Sequence, residues 1–178
     1  MTNRARPHFA GLAAVAAALL LLAAAPVRAL DAETLPVGSP APDFQSVDTE
    51  GQPFTLSESL KQGPVILIFW SIFCGTCRDE LPIVEQEKPK YADKVQFFTV
   101  NLDEAQRAKT VKGFAKQQGF TFRMLLNKVE GKEFLIDQAF KVKATPALYL
   151  VNRDGTVAYG HYGALNPEEL AAVVALAK

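Results

Sequence analysis

The strongest constraint on the fold is an uninterrupted apolar run at residues 64–70, which a pair of cysteines, Cys74 and Cys77, follows closely. The run is rich in β-branched and aromatic side chains, as is typical of a strand buried on both faces of a sheet. Helical spacing of apolar residues then extends from Cys74 to about residue 91, with Pro82 predicted to kink the helix. The sequence therefore predicts a strand that leads through the cysteine pair into a helix.

The rest of the chain alternates between strand-like and helix-like segments. Further strands are predicted at residues 95–101, 120–126, 147–151 and 156–162, and further helices at 104–118, 133–140 and 167–178. Gly119 is predicted to end the first of these helices and Asn166 to cap the last. Residues 43–47 and 53–56 flank a turn and predict a β-hairpin. This order predicts an α/β fold, in which a central mixed sheet is flanked by helices and an N-terminal hairpin is added.

The first 29 residues have the pattern of an export signal. They contain no acidic residue, begin with Arg4 and Arg6, and continue into an uncharged Ala/Leu-rich run at residues 11–25. A small-x-small pattern ending at Ala29 predicts cleavage by signal peptidase after that residue. An N-terminal membrane anchor is the alternative, because the apolar stretch extends over residues 9–27 if a proline is tolerated. Both interpretations predict an exported domain, in the periplasm or an equivalent compartment.

The zero net charge of the whole chain, 19 basic against 19 acidic residues, hides this division. Beyond residue 29 the chain has 16 basic and 19 acidic residues, so the predicted domain is mildly acidic. Nucleic-acid binders usually carry a basic excess, so no nucleic-acid partner is expected. A domain of this size can bury enough apolar surface to fold without a stabilising disulfide. The two cysteines therefore need a chemical explanation.

Cys74 is predicted to lie at the start of the helix and Cys77 one turn into it. Unpaired backbone N–H groups and the positive end of the helix dipole stabilise a thiolate at the first position. Cys74 would then attack a substrate disulfide as the nucleophile, and the less accessible Cys77 would resolve the mixed disulfide. The pair would be left as a redox-active disulfide.

Other uses of the same pair stay open at this point. A purely structural disulfide closing so short a loop would contribute only about 2 kcal/mol. Zinc needs about four ligands, whereas the mature chain offers two cysteines and His161, so no metal site is expected. A carrier that holds Cu(I) between two soft thiolates is the main alternative function.

Five landmarks in fixed order carry a family resemblance: residues 38–44 (GSPAPDF), Phe69-Trp70, Cys74-Gly-Thr-Cys77, Glu80-Leu-Pro82 and Ala144-Thr-Pro146. Over residues 36–178 the chain resembles the thioredoxin superfamily, and more closely its exported TlpA/ResA-like branch of thiol-disulfide oxidoreductases. The resemblance implies one thioredoxin-like domain, a reactive first cysteine and a cis-proline loop packed against the disulfide. It implies no cofactor.

The resemblance also assigns roles to residues outside the cysteine pair. Pro146 corresponds to the cis-proline, and the backbone of Thr145 is expected to pair with the substrate segment. Glu80 matches an acidic residue near the buried thiol and could accept a proton during release of the mixed disulfide. The simpler interpretation of Glu80 is a solvated partner of the helix dipole. Glu104 falls where the branch often has a second acid, although Asp103 and Glu104 also suit a helix start.

Two aromatic residues complete the predicted site. Trp70 is expected to pack under it, and both Trp70 and Phe73 are expected to contribute to substrate binding. Phe73 stands where the family usually has Trp, so the details of substrate contact are expected to differ. His161 is interpreted as a sheet-edge or turn residue.

The predicted function is an exported protein-disulfide oxidoreductase that reduces specific protein disulfides. The resemblance suggests protein thiol/disulfide substrates such as apocytochrome c or copper-site assembly proteins, and an upstream electron donor in the membrane.

Overall fold

The computed structural model describes residues 34–103, 107–127 and 135–178. The strands in these ranges are β1 (Gln45–Val47), β2 (Pro53–Thr55), β3 (Val65–Trp70), β4 (Gln96–Asn101), β5 (Arg123–Leu126), β6 (Ala147–Val151) and β7 (Val157–Tyr162). The helices are α1 (Leu56–Leu60), α2 (Gly75–Glu87), α3 (Ala108–Gln118), α4 (Ile136–Ala139) and α5 (Pro167–Val174), and a 3-10 turn (Lys88–Tyr91) follows α2.

The central sheet has five strands in the order β5-β4-β3-β6-β7. β3, β4 and β5 run parallel, whereas β6 and β7 are antiparallel to their neighbours. β1 and β2 pair separately as an antiparallel hairpin. This topology confirms the predicted mixed α/β sheet with an added N-terminal hairpin.

β3 lies at the centre of the sheet, and all six of its side chains are fully buried. Alternate residues serve two separate cores, because successive side chains of a strand point to opposite faces. Val65, Leu67 and Phe69 pack with the hairpin, α1 and α4, whereas Ile66, Ile68 and Trp70 pack with α2, α3 and α5. Burial on both faces explains why the run contains no polar residue.

The hairpin turn is held by the buried carboxylate of Asp48. This carboxylate accepts the backbone N–H groups of Glu50 and Gln52 at 2.9 and 2.8 Å, and the Arg123 Nε–H at 2.8 Å. Arg123 begins β5, so one carboxylate both closes the turn and fastens the hairpin to the edge of the central sheet.

The lead-in at residues 34–41 runs along the other edge strand, β7. Gly38 N–H donates to the Val157 carbonyl at 2.8 Å, and Val157 N–H donates to Ser39 at 2.9 Å. Where this segment crosses β7, a Cβ on Gly160 would lie only 2.9 Å from Thr34 Cβ, so the close approach requires glycine.

Several element ends differ from the prediction, although the elements themselves occur in the predicted order. β5 starts at Arg123 rather than at residue 120, because the Phe120 ring packs against Phe114 of α3 at 6.0 Å instead of extending the strand. The predicted starts of the helices at 104–118 and 133–140 lie outside the described residues. The final helix ends at Val174, since Lys178 N–H donates to Asn152 Oδ1 and draws the C-terminus toward the sheet.

Both predicted helix caps are confirmed. Gly119 ends α3 in the left-handed conformation, with φ 71°. The Asn166 side chain accepts the Glu169 N–H in a capping box at the start of α5. In the described part of the chain no helix is long and apolar enough to cross a bilayer, and the predicted signal or anchor at residues 1–29 lies outside that part.

Candidate active site

Cys74 and Cys77 form a disulfide at the junction of β3 and α2, with an S–S distance of 2.08 Å. Cys74 is the N-cap of α2, with extended backbone dihedral angles. Its Sγ accepts the backbone N–H of Cys77 at 3.1 Å, so one of the free N–H groups of the first turn points at this sulfur. These donors and the helix dipole would stabilise negative charge on Cys74 after reduction.

The two sulfurs differ in accessibility. Cys77 is fully buried in the core between the sheet and α2, whereas Cys74 is only partly buried at the edge of the same core. An incoming thiol or disulfide can therefore reach Cys74 and not Cys77. This asymmetry gives the two cysteines separate chemical tasks.

The loop between β3 and the disulfide is held by Asp103, just beyond the end of β4. The Asp103 carboxylate accepts the Ser71 hydroxyl at 2.6 Å and the Ile72 N–H at 2.9 Å. It also accepts the side-chain amide of the buried Asn101 at 2.8 Å. Sequence patterns suggested only a helix-start role for Asp103, because Ser71 and Ile72 lie about 30 residues away and leave no local signal.

We expect Asp103→Ala to destabilise the domain by about 2 kcal/mol, since the Ser71 hydroxyl and the Ile72 N–H lose a charged acceptor. Urea denaturation of the oxidised protein measures this change. Asp93→Ala, in the exposed turn before β4, is the matched control and should stay within about 0.5 kcal/mol of wild type. Equal stability of the two variants would contradict the assigned role of Asp103.

Glu80 is buried in α2, three residues after Cys77 and therefore on the same helix face. Its Oε1 accepts the Leu165 N–H at 3.0 Å, whereas Oε2 has no hydrogen-bond partner among the described residues. Burial raises the pKa of Glu80 from 4.5 to about 7, and the Leu165 N–H offsets part of this rise. Glu80 is thus a buried acid that can exchange a proton near neutral pH, and not the solvated dipole partner of the simpler interpretation.

The Thr145–Pro146 peptide bond is cis, as the resemblance implies. The register pairs Phe69 of β3 with Ala147 of β6, so the residues just before Ala147 lie beside those that follow β3. The cis-proline loop and the cysteine loop therefore leave the sheet at the same edge. Pro146 is buried, and its carbonyl accepts the Gly163 N–H at 2.9 Å.

The two predicted aromatic residues occupy opposite environments. Trp70 has no exposed surface and packs against Phe114 at 5.8 Å between ring centroids. It therefore supports the site from below, and the prediction that it binds substrate does not fit a side chain without exposure. Phe73 is 67% exposed, and the Arg107 guanidinium lies 5.0 Å from its ring centroid. Sequence patterns gave no sign of this contact.

The remaining candidate residues stay apart from this centre. Glu104 lies outside the described residues. His161 is part of β7, as predicted, and its ring stacks on Tyr159 at 6.1 Å. In residues 34–103, 107–127 and 135–178, no group of three His, Cys, Asp or Glu side chains could hold a metal ion.

Comparison with known proteins agrees with this geometry. The family model described as Redoxin matches residues 36–176. The thiol-disulfide oxidoreductase ResA of Bacillus thuringiensis is 32% identical over 141 residues, which cover 79% of this chain and 78% of ResA. The thioredoxin-like protein YneN of Bacillus subtilis is 31% identical over 134 residues, 75% of each chain.

Solved structures lead to the same assignment. A thiol:disulfide interchange protein of the thioredoxin family from Chlorobium tepidum superposes with a TM-score of 0.67 and 25% identity, covering 79% of this chain and 96% of that one. The chain therefore belongs to the redoxin family and is a protein-disulfide oxidoreductase of the TlpA/ResA-like branch of the thioredoxin superfamily.

Proposed function

We propose that this protein acts in an exported compartment as a reductant of specific protein disulfides, with Cys74 as nucleophile and Cys77 as resolving thiol. The observation that carries the proposal is the unequal burial of the two sulfurs: Cys77 has no exposed surface, whereas Cys74 is partly exposed at the N-terminus of α2. Only one of them can begin an exchange with a folded client.

The reaction has two exchange steps. In the reduced protein the Cys74 thiolate attacks one sulfur of the client disulfide, forming a mixed disulfide and expelling the first client thiolate. The Cys77 thiolate then attacks Cys74 Sγ, expelling the second client thiolate and forming the Cys74–Cys77 disulfide. The client gains two electrons and this protein loses them. A dithiol donor must restore the reduced state before the next turnover.

Two neighbouring groups assist these steps in the proposal. Glu80, on the helix face of Cys77 and with a pKa of about 7, accepts the thiol proton of Cys77 as it becomes the attacking thiolate. The backbone of Thr145, beside the cysteine loop, pairs with the extended client segment and directs its disulfide at Cys74.

The cellular setting rests on the sequence and the family. The acid-free, Ala/Leu-rich segment at residues 1–29 supports export, with either cleavage after Ala29 or retention as an anchor. Membership of the TlpA/ResA-like branch supports apocytochrome c cysteine pairs or copper-site assembly proteins as clients, and a membrane dithiol as the electron donor.

Trapping of clients tests the proposal. The full chain carrying Cys77→Ser, expressed in its native compartment, should accumulate discrete mixed disulfides through Cys74, because the second exchange step cannot occur. Non-reducing gels and mass spectrometry would identify the adducts, and added dithiothreitol should release them.

The matched control is Cys74→Ser, which keeps one cysteine and one serine but leaves only the buried sulfur. It should give no discrete adducts. Equal adduct patterns from both variants would contradict the assigned roles. Absence of adducts together with stoichiometric Cu(I) binding by the wild type would instead favour the carrier function.

A further inference from the structure

The surface beside the disulfide contains an aromatic residue in an unusual state of exposure. Phe73 directly precedes Cys74 and is 67% exposed, whereas every other phenylalanine in the described part of the chain is buried or partly buried. One side of its ring is covered by the Arg107 guanidinium at 5.0 Å. Exposed aromatic and arginine side chains are the residue types that most often anchor protein–protein contacts.

The backbone of Phe73 is held in place by two successive hydrogen bonds. Phe73 N–H donates to Ser71 Oγ at 3.1 Å, and the Ser71 hydroxyl donates to Asp103 at 2.6 Å. Asp103 lies just beyond the end of β4, so one carboxylate fixes the loop that carries Phe73 to the sheet. A contact surface fixed before binding loses less entropy when a partner docks.

Two further cations lie at the same edge of the domain. Arg78 lines a groove of about 320 Å³ beside the first turn of α2, together with Gly75. Lys143 is exposed on the loop that leads to Pro146, and its N–H donates to the Tyr162 hydroxyl at 3.3 Å.

The ion pairs of the described residues do not include these three cations. Among the described residues, none of Arg78, Arg107 and Lys143 has a carboxylate oxygen within 4.0 Å. The Asp103 carboxylate is also charged, but its oxygens accept the Ser71 hydroxyl and the Ile72 N–H of the cysteine loop. Asp79 also lines the groove, so among the described residues three cations stand against the carboxylates of Asp79 and Asp103.

We propose that these residues form a docking surface for client segments in which acidic residues flank the disulfide. The inference rests on the proposed function and adds the chemistry of its clients. A client carboxylate next to the attacked client cysteine would bind the Arg107 guanidinium, while the client backbone packs against Phe73. Because the domain beyond residue 29 is mildly acidic as a whole, this local basic surface would also steer such clients toward Cys74.

Matched peptides test the inference. Two disulfide-cyclised peptides would be identical except for the residues flanking one cysteine, which are Asp in one and Lys in the other. With the pre-reduced protein in single-turnover reactions at low salt, we expect the Asp peptide to be reduced about tenfold faster. The difference should shrink at high salt, since exposed charges are screened.

Variants assign the preference to the proposed surface. Arg107→Glu should lower the rate for the Asp peptide about fivefold and raise it for the Lys peptide, and Arg107→Gln should fall between. Lys94→Glu makes the same charge change in the exposed turn before β4, and it should leave both rates unchanged.

The outcomes separate the two levels of the proposal. Equal reduction of both peptides, or an equal effect of Arg107→Glu on both, would overturn the docking surface and leave the oxidoreductase function standing. Failure of the reduced protein to reduce either peptide would overturn both.

Discussion

Cys74→Ser is expected to abolish disulfide exchange, with a loss of at least about a thousandfold in turnover. A serine hydroxyl is not ionised near neutral pH and cannot form a disulfide, and the remaining sulfur of Cys77 is fully buried. The measurement is the reduction of a disulfide-cyclised peptide by the protein with dithiothreitol as the electron source. Both proteins start the assay without the Cys74–Cys77 disulfide, since the wild type is reduced first. A difference in rate therefore reports the loss of the Cys74 thiol and not the loss of the disulfide.

Cys77→Ser separates the two steps of the same reaction. Pre-reduced and freed of dithiothreitol, this variant should form about one peptide adduct per chain at nearly the wild-type rate and then stop, because the first step needs only the partly exposed Cys74. Circular dichroism of both variants checks that the fold is kept. If Cys74→Ser retained a tenth of the wild-type turnover, Cys77 would have to be reachable by clients, contrary to its burial.

Glu80→Gln should change how stability depends on pH. The pKa of Glu80 is about 7 in the folded protein, against 4.5 ordinarily. Below pH 4.5 the carboxyl is protonated in both states, so it contributes no difference. Between these values the unfolded chain has lost the proton while the folded protein keeps it, so the free energy of unfolding falls as pH rises. Above about pH 7 the wild type has lost roughly 3 kcal/mol that the glutamine variant does not lose.

Urea denaturation at pH 4, 5.5 and 8 measures this difference for the oxidised proteins. Glutamine keeps an oxygen for the Leu165 N–H, so the hydrogen bond at 3.0 Å is retained. Glu168→Gln removes the same charge from an exposed position on α5 and should show no such pH-dependent gain. Parallel pH profiles for Glu80→Gln and wild type would mean that Glu80 ionises as freely in the folded protein as in the unfolded chain.

Local patterns predicted most of the fold, because the features that set it are local. The apolar run of β3, the glycine after α3 and the Asn166 capping box each depend on a few adjacent residues, and the structure contains all three. The same holds for the cysteine pair, whose position after a strand and before a helix follows from the chain alone. The ends of elements were less predictable. Phe120 fits the apolar pattern of β5, but its ring packs against α3 and it is not part of the strand.

The surroundings of the cysteine pair were much less predictable. Leu165 donates to Glu80 across 85 residues, and Asp103 accepts from Ser71 across 32. The contact of Arg107 with Phe73 likewise joins the N-cap of α3 to the cysteine loop. None of these pairs leaves a periodic pattern, because they meet only after the strands have been placed side by side. The contacts that hold Glu80, Asp103 and Phe73 around the cysteine pair can therefore be identified only from the folded structure.

The burial of Trp70 has a practical consequence. It is the only tryptophan of the chain, and it lies in the same core as Cys77, with Cys74 at its edge. All indole fluorescence therefore originates in the core that contains Cys77. The intrinsic emission of the unmodified protein can serve as an optical record of its own oxidation state, without a dye and without a second tryptophan to obscure it.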